Sequence, residues 1–527
     1  MEDVQTVKRS MIPAGIGLAL FCVGYLLINE RILVQSILYR AAASDLHNAA
    51  IAFAAMAFQA TVLLAALILL SNRLFWLTLF LIALSAGTNL IFSQILNDTV
   101  DLARFDWMLA EARHAQNAAG KFAAPAAIGL AKALVALGLF TASAKLIRRS
   151  LDPHVRLPGA APGNVAAIFL LVLTSLAFGL GLPGPVAAER NIYNFAAEKL
   201  TIPPPPERGA VAIAARDIDT SVQKIVWIID ESVGYDVFAR LVRPRLSDFS
   251  SLDFGKTSAM ANCSAPAHVA LRSGVDVLNV NDRTDLRATP SIWGYAQKSG
   301  YRTVLVEGQT SGPPQNALLP PEASKIDEIL SLASGMQTDL YIASDLNARL
   351  KAPGKEFIYA VLRGVHFQYS DHYPAGTLAA NSPLTQKYDA AVTYSKNGFF
   401  ETLLAGVDRE KVAIVYTSDH GQNVKQGVLP HCATVPEQVE FAVPLLAFLP
   451  QALAQEYPAP EKGGHSASQI FPTTLAWMGY DPAIVTETYD NILQQPTKNF
   501  VWFGRAVIPL RPGDRIEVTK SRTPLVD

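Results

Sequence analysis

Five long apolar stretches crowd the first third of the chain, at residues 11–28, 49–70, 74–95, 123–144 and 165–182. Each reaches the roughly 18–20 residues that carry a helix across the hydrocarbon core of a bilayer. A soluble domain rarely repeats core helices of that length five times, so these stretches read as membrane spans. They also account for a charged fraction of only 17% over the whole chain, because the apolar excess stops near residue 185. The first stretch follows Lys8 and Arg9, as in a signal peptide. No small-x-small cleavage site precedes Asn29-Glu30-Arg31, however, and four more spans follow, so it is read as an anchor.

Lys8, Arg9, Arg73, Lys145, Arg148, Arg149 and Arg156 all fall on one side of such a bundle, the side expected in the cytoplasm. The other side carries Arg31 and Arg40, and a balanced loop, 97–122. That loop sets Asp98, Asp101, Asp106 and Glu111 against Arg104, Arg113 and Lys121. An odd number of spans then delivers everything after residue 185 to the outside. Lys132, inside the fourth stretch, either snorkels to the interface or faces the bundle interior. The expected organisation is a five-span transmembrane domain over 1–185, a connector over 186–220, and a further domain over 221–527. Within the connector, residues 186–200 suit a helix on the membrane surface, and Pro203–Pro206 suit a stiff spacer. A net charge of -1 gives no reason to expect nucleic acid. The three cysteines, Cys22, Cys263 and Cys432, are too few for a cysteine-rich zinc module.

Beyond residue 223 the texture becomes short apolar runs, at 224–230, 301–308, 357–367, 411–421 and 443–450. Helical candidates lie between them, at 290–298, 339–351 and 387–404. This alternation predicts an α/β domain with a mainly parallel sheet, whose ligands bind at the carboxyl ends of the strands. Polar residues do gather there. Asp230-Glu231 end the first run, an acid pair that repels itself unless a cation neutralises it, or else the acidic first turn of a helix. His366 ends the third run and Asp419-His420 the fourth, with Gly421 allowing a sharp turn behind them. His431 lies in a loop before the last run, and His465 stands ahead of the apolar IFPTTLAWMG. Carboxylates and imidazoles after several strands of one sheet suit a metal with mixed oxygen and nitrogen ligands, zinc first and manganese second. Ser264, followed by Pro266, opens a helix-like segment. A hydroxyl there is either a simple N-cap or a nucleophile eased toward its alkoxide by the helix terminus.

At these residues the chain resembles the alkaline phosphatase/sulfatase superfamily. Ser264-x-Pro266-x-His268-x-x-Leu271-x-Ser273-Gly274 is similar to the sulfatase signature Cys/Ser-x-Pro-x-Arg-x-x-x-x-Thr-Gly. Its full layout resembles membrane-anchored phosphoethanolamine transferases and, more distantly, lipoteichoic acid synthases. The resemblance implies Ser264 as nucleophile and Glu231, Asp419, His420 and Ser264 as metal ligands, with Asp230 as the neighbouring acid found in sulfatases. It assigns His366, His431 and His465 to a second metal or to substrate, so one or two zinc ions are implied. The signature arginine is His268 here, and its cysteine is Ser264, which sets the chain apart from sulfatases proper. Thr257, in Gly255-Lys256-Thr257-Ser258, resembles the synthase nucleophile segment and stands as the alternative nucleophile. Cys263 and Cys432 each flank a proposed site residue and can pair as a disulfide in an oxidising outer compartment.

The implied activity is phosphotransfer. A phospholipid head group, phosphoethanolamine foremost, passes through a phosphoserine to a glycan or lipid of the cell envelope. Phosphoglycerol transfer and sulfatase-like phosphodiester hydrolysis are the alternatives. The implied location is a bacterial inner membrane, with the catalytic domain periplasmic or extracellular and a bilayer phospholipid as donor.

Overall fold

The computed structural model describes all residues except 1, 43–44, 97–98, 101–104, 106–114, 152–158, 180–186, 215–221, 248, 311, 313, 333–334, 367, 426–427, 429, 434, 459–463 and 527. The described chain divides into two compact units, 1–202 and 203–527. Both expected boundaries, 185/186 and 220/221, fall outside the described residues. So do Asp98, Asp101, Arg104, Asp106, Glu111, Arg113 and Arg156, on which the expected topology draws.

In the first unit four helices are long and apolar enough to cross a membrane, within Leu46–Leu69, Asn72–Gln94, Ala123–Leu151 and Ala160–Ala177. A fifth span results if Ile12–Ile28 and Glu30–Ala41, bent by 80° at their junction, count as one. Four or five such spans make the chain a multi-pass membrane protein. Asn29 sits at the bend, and its amide donates to the Tyr25 carbonyl at 3.1 Å, competing with the backbone ladder there. Just past the bend Glu30 takes the Lys132 ammonium at 2.6 Å, so the lysine of the fourth span is paired inside the unit. Arg148 donates to the carbonyls of Leu67 and Leu70, each at 2.6 Å, closing the carboxyl end of helix Leu46–Leu69. A helix over Asn191–Thr201 ends this unit.

The second unit is an α/β domain around a seven-stranded sheet. Its strands are β1 (Lys224–Asp230), β2 (Leu252–Ser258), β3 (Arg302–Glu307), β4 (Glu328–Ser331), β5 (Glu356–Val361), β6 (Val412–Ser418) and β7 (Ala442–Phe448). Their order is β2-β7-β6-β1-β5-β3-β4, parallel except where β7 runs antiparallel to β6 and β2. Every residue of β1, β5, β6 and β7 is buried, because helices cover both faces. Alternation splits β1 between two cores: Ile225, Trp227 and Ile229 enter one, Val226 and Ile228 the other. Trp227 packs on Phe357 and Tyr359 at ring centroids of 5.4 and 5.7 Å. At roughly 1.5–3 kcal/mol for each large apolar side chain buried, a one-residue slip of β1 would forfeit several such contacts at once.

The apolar run 357–367 is strand only to Val361. Gly364 turns the chain at φ +54 directly beneath Glu231, where a Cβ would stand 2.5 Å from the Glu231 carbonyl oxygen. The helical candidate 387–404 is two helices, Leu384–Ser395 and Phe399–Leu404. The strands β2 and β4 lie at the two sheet edges, where polar composition hides them from a search for apolar runs.

Candidate active site

The register of the central strands assembles the site. Asp230 of β1 pairs with Ser418 of β6, so the next residues, Glu231 and Asp419, emerge side by side. The β5 continuation folds back, and Val365 donates its N–H to the Glu231 carbonyl at 3.0 Å, bringing His366 alongside. Helix Ser264–Arg272 starts beneath them, and Cys263, immediately before it, is disulfide-bonded to Cys432. That bond brings the His431 loop to the start of the helix.

The Ser264 Oγ lies 3.2 Å from His420 Nε2 and 3.4 Å from Glu231 Oε1. One ligand atom each from Glu231, Asp419 and His420 lies within 4.8 Å of the others. The surroundings aim these atoms. His420 Nδ1 is 2.8 Å from the Gly421 carbonyl, to which it donates, leaving the Nε2 lone pair free for a cation. A Cβ on Gly421 would stand 2.1 Å from the Val439 carbonyl oxygen, so only glycine fits this approach. Glu231 Oε2 accepts from Gln309 at 2.7 Å and Oε1 from the Ser232 hydroxyl at 2.6 Å. Ser232 holds φ at +61, a strained conformation for a non-glycine residue and a recurrent feature of functional sites. Asp419 Oδ1 accepts from the backbone of Ser232 and His420, whereas its Oδ2 is buried without a hydrogen-bond partner among the described residues.

Charge in this site is unbalanced in a way that fits a divalent cation. Burial drives the Asp419 carboxyl well above the ordinary range, and the neighbouring Glu231 charge drives it further. Burial alone would raise Glu231 too, but His366, His420, the Ser232 hydroxyl and His431 hold it down at about 2. Two carboxylates and an imidazole nitrogen around one unsatisfied carboxylate oxygen are a donor set for a metal such as zinc. The three imidazoles form a row. His431 lies 4.6 Å from His420 and 5.2 Å from His366 by ring centroids, and its Nδ1 is 3.0 Å from Gln422 Oε1.

Three expected site residues are not brought into this group. Asp230 points to the opposite side of the sheet, as alternation along a strand requires, and meets Lys396 at 2.7 Å and the Tyr416 hydroxyl at 2.5 Å. Thr257 is wholly buried inside β2, paired with Val443, its hydroxyl 3.5 Å from the Gly255 carbonyl. His465 packs edge-on against Phe254 and reaches Gln469 Oε1 at 3.2 Å. Conversely, Gln309, Ser232 and Gln422 touch the group and escaped the sequence reading. Gln309 stands two residues past the end of β3, the same kind of position that drew notice to Asp419 and His420.

Residues 224–480 match the profile of the Sulfatase family. Among solved structures, the integral membrane lipooligosaccharide phosphoethanolamine transferase A from Neisseria meningitidis is similar over 91% of this chain and 98% of its own, with 14% identity and a TM-score of 0.50. The C-terminal periplasmic domain of EptC from Escherichia coli, in complex with Zn, aligns with 59% of this chain and 96% of its own, at 16% identity and a TM-score of 0.46. No curated protein matches the sequence. The domain over residues 224–480 is thus a Sulfatase-family domain.

Proposed function

We propose that this protein is a phosphotransferase that moves a phospholipid head group, phosphoethanolamine first, onto a glycan or lipid of the cell envelope through a phosphoserine at Ser264. The observation that carries this reading is the Ser264 hydroxyl at a helix start, 3.2 Å from His420 and 3.4 Å from Glu231. A divalent cation, zinc or secondarily manganese, held by Glu231, Asp419 and His420 would acidify that hydroxyl and offset phosphoryl charge.

Ser264 Oγ attacks the phosphorus of the donor, the bond to the diacylglycerol oxygen breaks, and that oxygen leaves with a proton. An acceptor hydroxyl then attacks the same phosphorus, and the Oγ–P bond breaks to restore serine. His366 and His431 border the group where phosphoryl oxygens would lie, and the first-turn amides of helix Ser264–Arg272 add partial positive charge there. Burial, and then His420 and His366, hold the His431 pKa well below its ordinary value, so it serves as a neutral donor or acceptor rather than a fixed cation. Thr257, interior to a strand, is set aside as nucleophile in this reading. The membrane spans keep donor and diacylglycerol in the bilayer, which suits an inner-membrane protein with its catalytic domain outside the cytoplasm.

The test is release of diacylglycerol from vesicles of phosphatidylethanolamine by the full-length protein. Release that requires an added envelope acceptor, and stops in Ser264→Ala, is the expected result. Release at full rate with water alone would make the enzyme a phosphodiesterase, and preference for phosphatidylglycerol would make it a phosphoglycerol transferase.

A further inference from the structure

Helix Ser264–Arg272 carries a second side chain toward the site. His268 follows Ser264 by four residues and so shares its face, one turn on. It is completely buried, and its Nε2 has no hydrogen-bond partner among the described residues. That nitrogen faces Asp419 Oδ2 at 4.0 Å, the carboxylate oxygen that is itself unpartnered. Two buried polar atoms left without partners would each cost about 1–3 kcal/mol, so their facing one another is a feature to be explained.

Donor arithmetic on the far side of the ring decides what His268 offers. Its Nδ1 is 2.7 Å from the Tyr359 hydroxyl. The Arg272 guanidinium, which has only donors, is the leading charged neighbour of that hydroxyl, so the tyrosine oxygen turns its lone pairs toward arginine and its own proton goes to His268 Nδ1. The ring proton therefore lies on Nε2, pointing at Asp419. Arg272 is fixed in turn by Glu322 at 3.0 Å, and Glu322 also pairs with Arg208. Glu322, Arg272, Tyr359 and His268 thus form a buried row of neighbours that ends facing Asp419.

We propose that His268 is a positioning residue of the cation site, donating Nε2–H to Asp419 Oδ2 and fixing that carboxylate for the metal. The inference rests on the metal-dependent reading above. The 4.0 Å separation exceeds a hydrogen bond by about 1 Å, a gap that a small side-chain rotation closes. Partners that orient a ligand in this way change metal affinity by about 10–100-fold when removed.

The test is zinc affinity of the full-length protein in detergent, measured by competition with a chromophoric chelator. His268→Leu should weaken zinc binding by about tenfold or more, whereas His268→Gln, which keeps an N–H donor at the same reach, should stay within about threefold of wild type. If His268→Leu does not fold, Tyr359→Phe replaces it, with a several-fold weakening of zinc in a protein that still unfolds in a cooperative transition. Wild-type affinity in His268→Leu, or equal weakness in His268→Gln, overturns the proposal. X-ray absorption that loses an imidazole from the zinc shell in His268→Gln overturns it as well, since His268 would then be a ligand. A wild-type protein that binds no zinc removes this proposal together with the function above; loss confined to the variants' expected pattern concerns this proposal alone.

Discussion

Asp230 and Glu231 are consecutive, both buried, and stand on opposite faces of the same strand end. Asp230 meets an ammonium supplied by the fold: Lys396, itself buried, bridges it at 2.7 Å to Asp339 at 3.2 Å. Asp339 then accepts from the backbone of Arg363 and Gly364, which carry the turn under Glu231. Across the sheet, the ion-pair partners of Glu231 and Asp419 among the described residues are imidazoles, and one carboxylate oxygen is left over. Where the chain provides its own cation the acids are structural. Where it does not, they are proposed to hold a cation from outside.

The comparison breaks most visibly at Lys396. Lys396→Met leaves Asp230 and Asp339 buried without a positive partner, which should cost about 3–5 kcal/mol of stability in denaturant unfolding of the carboxy-terminal unit. Adding Asp230→Asn should restore part of that loss. A cost below about 1 kcal/mol would mean that Lys396 does not neutralise the pair.

Glu307 sharpens the comparison as a third solution: its carboxylate is met by the backbone amides of Gln309 and Gln315, with the Arg272 guanidinium a minor influence. Burial pushes its carboxyl from 4.5 up to about 7, although the Gln309 and Gln315 amides partly oppose this. A raised carboxyl pKa means that the folded state holds the proton more tightly. Its contribution is therefore complete below 4.5 and is lost as pH rises through about 7. At about 1.4 kcal/mol per pH unit, wild type should lose up to about 3 kcal/mol over that interval, and Glu307→Gln should not. Parallel pH profiles of unfolding for the two proteins would show that Glu307 is ionised in the fold.

Much of this was legible in the sequence because buried parallel strands are written as apolar runs. The strands β1, β6 and β7 carry that signal within three residues of their observed ends, and the residues just past β1 and β6 drew attention to Glu231, Asp419 and His420. Alternation also held the clue that Asp230 and Glu231 cannot serve the same site, since neighbours on a strand face opposite ways. Gln309 and Lys396 were hidden for a different reason. Each is defined by what it meets across the fold, and a glutamine in a loop or a lysine at a helix end has no local signature. The pairing of Cys263 with Cys432, expected from their places beside two proposed site residues, joins segments 169 residues apart.

The central claim is that the cation held by Glu231, Asp419 and His420 activates Ser264. It is tested most directly by mapping the covalent adduct on the full-length protein exposed to phosphatidylethanolamine, before and after chelation and after zinc is restored. The account predicts phosphoethanolamine on Ser264 that disappears with the metal, returns with zinc, and never forms in Ser264→Ala. An adduct on Thr257, or one on Ser264 that persists at full yield after the metal is removed, would contradict it.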